Sequence, residues 1–85
     1  MRVLIPSALQ SYTGQAWVEA HGDTLGAVLA DLERQYRGIR FRMIDEQDRA
    51  RANIRFFIGG VAVFDLAHAM RPSDTLHIVQ ALSGG

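Results

Sequence analysis

The chain has no cysteine. That excludes disulfides, thiolate metal sites, cysteine-ligated iron–sulfur clusters and a cysteine nucleophile. It also has no lysine, because all nine basic residues are arginine. The only primary amine is therefore the one at Met1. A GC-rich genome's preference for arginine accounts for this, as does a protein that never receives isopeptide-linked copies of itself. No apolar run approaches the roughly 20 residues of a membrane span. The opening, MRVLIPSALQ, lacks the long apolar stretch and small-residue cleavage site of a signal peptide, so cytoplasmic residence is the default expectation. No charge imbalance exists either. Nine acids match the nine arginines, and net charge gives no case for nucleic acid or an anionic membrane as a partner.

What remains is an 85-residue chain that is 48% hydrophobic, enough for one domain with a modest core. Arg2 to Pro6, RVLIP, reads as a first strand ended by proline. SYTG reads as a turn pivoting on Gly14, and Gln15 to Ala20 as a second strand completing a hairpin. GDTLGAVLADLERQY then changes period. Leu25, Val28, Leu29, Leu32 and Tyr36 recur at helical spacing. Asp23 or Thr24 can cap the first free N–H groups, and Gly38 supplies a left-handed stop, so a helix is expected over Thr24 to Tyr36. Gly26 is mildly unfavourable there.

Phe41 to Ile44 reads as an irregular connection and Asp45 to Arg51 as a charged loop. Asn53 to Ile58 is an expected strand. Gly59-Gly60 is then a two-residue hairpin turn, with Val61 to Val63 returning. DLAHAM suggests one helical turn. In the last strand, TLHIVQA, Leu76 and Ile78 should face the helix while His77 and Val79 face away. One unit over residues 1–81 and a tail over 82–85 are expected. Extended, Leu82 to Gly85 would reach roughly 13 Å at about 3.3 Å per residue. A tail ending in Gly84-Gly85 is sterically thin enough to enter a narrow slot and present a bare carboxylate.

Other polar groups assemble no recognisable site. His21, His68 and His77 are far apart in sequence, and no pair has helical ligand spacing. Asp45, Glu46 and Asp48 lack the recurrent spacing of a calcium loop. Ser7, Ser11 and Ser83 have no supporting base in a recognisable motif. Trp17 and Tyr12 read as packing residues. Phe56 and Phe57 are adjacent, so one must be core and the other edge or interface.

The element order together with Gly84-Gly85 resembles the β-grasp, ubiquitin-like proteins. TLHIV followed by six residues ending in Gly-Gly is similar to the closing segment of ubiquitin. The likeness to the prokaryotic sulfur carriers of the MoaD/ThiS family is broader and covers the whole chain. It rests on IPSALQSYTG at residues 5–14 and GDTLGAVLADLERQYRGI at residues 22–39, and is strongest toward carriers of a cysteine-forming route. The resemblance implies an α+β, β-grasp fold, with a mixed sheet of four to five strands packed on one main helix.

It further implies that an ATP-using, ubiquitin-activating-type enzyme adenylates Gly85. A sulfur donor would then leave a C-terminal thiocarboxylate, with Gly84, Ser83 and Leu82 recognised as the tail enters. His77 and Val79 would belong to the surface that docks partners. The carrier itself needs no catalytic side chain and binds no cofactor or metal. In a cysteine-forming route a pyridoxal-phosphate cysteine synthase would accept the sulfur, and a metalloprotease would release cysteine from Gly85. ATP, pyridoxal phosphate and metal would all belong to partners. A small subunit of molybdopterin synthase, a covalent protein modifier and a non-covalent β-grasp interaction module remain alternatives.

Overall fold

The computed structural model describes residues 1–81. Five strands form one sheet: β1 (Arg2–Leu4), β2 (Trp17–Glu19), β3 (Ile54–Ile58), β4 (Val61–Val63) and β5 (Thr75–Gln80). Their spatial order is β2-β1-β5-β3-β4. β1 and β5 run parallel, with Val3 opposite Leu76, and every other pair is antiparallel. One face of the sheet is covered by helix α2 (Leu25–Gln35). The expected mixed sheet on one main helix is therefore present. Leu25, Val28, Leu29 and Leu32 on the helix are fully buried, as are Leu76 and Ile78 on β5. The two periodicities of 3.6 and 2 meet in that core.

Thr24 is the cap of α2, its Oγ1 accepting the N–H of Ala27 at 3.1 Å. The segment after β4 satisfies the neighbouring N–H groups. Leu25 N–H donates to His68 O at 2.9 Å and Gly26 N–H to Leu66 O at 2.8 Å. Residues 64–70 are thus an extended strap with a single turn, in which Asp65 O accepts the His68 N–H at 3.0 Å, not the helical turn expected from DLAHAM; the carbonyls of Leu66 and His68 are aimed at the open helix end. The same contact explains Gly26. A Cβ there would sit 3.2 Å from Leu66 O, so the small residue permits the close approach.

Two further connections differ from expectation. The link between β1 and β2 is a 3-10 turn, Ser7–Leu9, running into a short helix α1, Gln10–Thr13. Leu9 buries into the core from it, so the link is anchored and longer than a hairpin turn. Residues 39–43 form helix α3 (Ile39–Met43), where an irregular connection was expected. The stop expected at Gly38 comes earlier: α2 ends at Gln35 with Tyr36 as its cap, and Gly38, at φ 95°, instead opens α3. Glu33, reaching from α2, accepts the N–H groups of Gly38 at 2.9 Å and Arg40 at 3.0 Å. Ile39 and Met43, four apart, then bury on one face. Gly59 and Gly60 form the expected turn, with φ of 58° and 82°.

Carboxylates pin the helical layer. Asp31 accepts the N–H of His21 at 2.9 Å and the Arg34 guanidinium at 2.8 Å. The backbone N–H of His21 is the main reason its carboxyl lies below the usual range, with Arg34 and Gln35 helping and partial burial opposing. The N–H groups of Gly38 and then Arg40 lower Glu33 in the same way. A depressed folded value favours the ionised, folded form. This stabilisation is present above the ordinary carboxylate range and is lost as pH falls through the depressed values. Thermal melts across acid pH should show that loss beginning near about pH 4. The double variant Asp31→Asn, Glu33→Gln should flatten it; an unchanged acid limb would mean these contacts carry no such stabilisation.

Candidate functional site

Alternation along the strands that bury Val3, Val18, Phe56, Leu76 and Ile78 against α2 sends their neighbours to the opposite face. That face is uncovered among the described residues. The register brings Trp17, Leu4, His77, Phe57 and Ala62 into one row across all five strands. Val79, opposite Arg55, continues it toward the end of β5. Trp17 is 37% exposed and Val79 is 43% exposed.

Trp17 organises one side of this row. Its ring meets the His77 ring edge-on, with centroids 5.7 Å apart and planes at 73°. The Arg2 guanidinium lies 4.2 Å from the Trp17 ring centroid, a cation–π contact. A flat, partly apolar platform results, with a histidine at its centre and a cation at its margin. Such a surface is flat and offers no enclosed pocket for a small substrate.

The structure places His77 and Val79 together on this platform. It corrects the reading of Trp17 as a packing residue: Val18 takes the core position in β2, which leaves Trp17 and Glu19 outside. Alternation within WVE was the signal available for this. Tyr12 does pack against the core. Phe56 is buried while Phe57 is half-buried on the platform. Leu82, Ser83, Gly84 and Gly85 lie outside the described residues. The last described anchor before them is Ala81, whose N–H donates to Asn53 O at 2.8 Å. Among the described residues, no three His, Asp or Glu side chains gather as a metal-binding group. No helix there is long and apolar enough to cross a membrane.

A model of the ThiS family matches residues 3–85. The chain belongs to that family. Its relatives within the ThiS family include the sulfur carrier protein CysO of Mycobacterium tuberculosis, 39% identical across 98% of this chain and 96% of that protein. The crystal structure of the Mycobacterium tuberculosis CysO superposes with a TM-score of 0.89 at 36% identity, covering 95% of this chain and 98% of that one. A CysO chain from Amycolatopsis orientalis, solved as a BexX/CysO complex, gives 0.90 at 31% identity, covering 99% and 98%. The modifier SAMP1 of Haloferax volcanii, at 24% identity and a TM-score of 0.79 over 100% and 98%, shares the fold. The protein is thus a ubiquitin-like β-grasp sulfur carrier of the ThiS and CysO type.

Proposed function

We propose that this chain carries sulfur as a thiocarboxylate on Gly85 and supplies it to cysteine biosynthesis. The observation that carries the reading is the likeness to CysO across nearly the whole of both chains. In support, the described sheet contacts of β5 end at Ala81, so residues 82–85 follow directly from the central strand.

A carboxylate does not react with hydrosulfide at neutral pH, because oxide would have to leave. In the proposed sequence the Gly85 carboxylate oxygen attacks the α-phosphorus of ATP on a partner enzyme. Pyrophosphate departs and an acyl–AMP anhydride forms. Hydrosulfide then attacks the acyl carbon, the bond to AMP breaks, and AMP leaves with its electron pair. The thiocarboxylic acid loses its proton to water and becomes the nucleophile for the next step. No atom changes oxidation state, so no redox partner is needed.

Pyridoxal phosphate would be held by the accepting enzyme. A lysine forms the usual Schiff base with that group, and this chain has no lysine. The metal of a processing protease likewise belongs to a partner. The part of this chain is recognition: the Trp17–His77–Val79 platform docks, and the tail delivers.

Incubation with the host's own adenylating enzyme, ATP and sulfide, read by intact and peptide mass spectrometry, tests the reading. One oxygen should exchange for sulfur, at Gly85. Sulfur at any other residue, or none, would sink it. Isopeptide adducts through Gly85 in place of thiocarboxylate would favour a protein modifier. The platform has its own test. Val79→Arg should leave stability nearly unchanged, since the side chain is already exposed, and should weaken binding to that enzyme in a titration. Equal affinity would remove the platform from docking.

A further inference from the structure

Two surface pockets share a wall at Ala52 beside the end of β5: Gln80 lines the first, and Arg55 of the second lies opposite Val79. The first holds Arg42 and Arg51 beside Phe41, Asn53 and Gln80. The second holds Arg49 and Arg55 around Phe64, which is 69% exposed. Four of the nine arginines in a neutral chain therefore cluster where the tail leaves the sheet.

None of these four forms an ion pair among the described residues. The pairs found there are Arg34 with Asp31, Arg40 with Asp48, and the Met1 ammonium with Glu19. Asp45 feels Arg49 and Arg51, but its Oδ1 accepts the backbone N–H groups of Gln47 and Arg49 in its own loop. Two of the guanidinium groups are braced in place. Arg51 Nε donates to Phe41 O, and its guanidinium sits 4.5 Å over the Phe41 ring. Arg55 Nη1 donates to Ala52 O at 2.9 Å and Ile54 O at 2.8 Å. Each guanidinium has five N–H donors, so both keep donors for a partner, and bracing lowers the entropy lost on binding.

We propose that Arg42, Arg51, Arg49 and Arg55 form a basic collar that docks carboxylates at the mouth of the partner's tail channel. This rests on the carrier reading. Four extended residues span at most roughly 14 Å. With Gly85 at the reacting phosphorus, a fully extended tail would set the collar up to about that far back, outside the nucleotide site. What it meets there is protein surface, and guanidinium groups held in no ion pair among the described residues select acidic side chains. Charge at such a margin sets encounter rate and salt dependence.

Titration of the full chain against the host's adenylating enzyme at low and high salt tests this. Arg42→Glu with Arg51→Glu, and separately Arg49→Glu with Arg55→Glu, should each weaken binding about tenfold or more at low salt. Both should also flatten the salt dependence. The matching arginine-to-lysine pairs should retain most of the affinity, and melting curves identify any variant that has lost its fold; where one has, the lysine pair and the other pocket decide. Wild-type affinity and salt slope in both folded glutamate variants would overturn the collar while leaving the carrier reading intact. A wild-type chain that neither binds nor acquires sulfur overturns both. ATP binding to the free chain that is lost in the glutamate variants would make the pockets a nucleotide site and also overturn the proposal.

Discussion

Removing Gly85 should leave the domain as stable as the full chain while adenylation falls to background. Among the described residues the buried core lies within Met1 to Ile78, and the last described backbone tie is made by Ala81. Nothing described in the fold depends on residue 85. The proposed chemistry depends on it for reach, because the carboxylate left on Gly84 would fall about 3.5 Å short of the phosphorus of ATP. Gly84→Val should act similarly by obstructing a narrow channel. Pyrophosphate release with the host's activating enzyme measures the loss of adenylation, and a denaturant melt the unchanged stability. A truncated chain that still released pyrophosphate would end the proposal. The internal pair is the control. Gly60 sits at φ 82° with open space where a Cβ would go. Gly60→Ala should cost about 1–2 kcal/mol through backbone strain alone, with sulfur loading per folded molecule unchanged.

Leu29→Ala should have the largest effect on stability, about 2–5 kcal/mol. Leu29 lies mid-way along α2 with no exposed surface, so the truncation leaves a cavity under the helix as well as losing apolar burial. For a domain this small, that is a large share of the total. Urea unfolding gives the value. A loss under about 0.5 kcal/mol would mean that the site behaves as a surface position. The folded fraction of this variant should still load sulfur normally, which separates it from the tail variants.

The helix, the Gly59-Gly60 turn and the two faces of β5 were legible because each rests on local spacing or backbone preference. Helix α3 was not, since its N–H groups are received by Glu33 from the preceding helix. The strap over residues 64–70 was hidden for the same reason. Its backbone partners are the open N-terminus of α2, which no window around DLAHAM contains. Sheet order was beyond local reading too, because β1 and β5 meet only when the chain ends come together. The platform was half visible. His77 and Val79 followed from alternation, whereas Trp17 was read as a packing residue although Val18 beside it takes the core position. In the arginine collar, sequence shows mixed charges from Arg40 to Arg55. Only the fold turns Asp45 onto its own loop and leaves four guanidinium groups outside any ion pair among the described residues.

β5 is the middle strand, bonded on one side to parallel β1 and on the other to antiparallel β3. A partner that draws residues 82–85 into a channel pulls along the axis of this strand. The load then falls in shear on both ladders at once. An edge strand peeled from its end would instead lose its bonds one after another. The fold is therefore mechanically stiff in the direction in which the proposed cargo end would be handled. Single-molecule extension with the handle placed at the C-terminus should require more force to unfold the domain than extension with the handle on the edge strand β4.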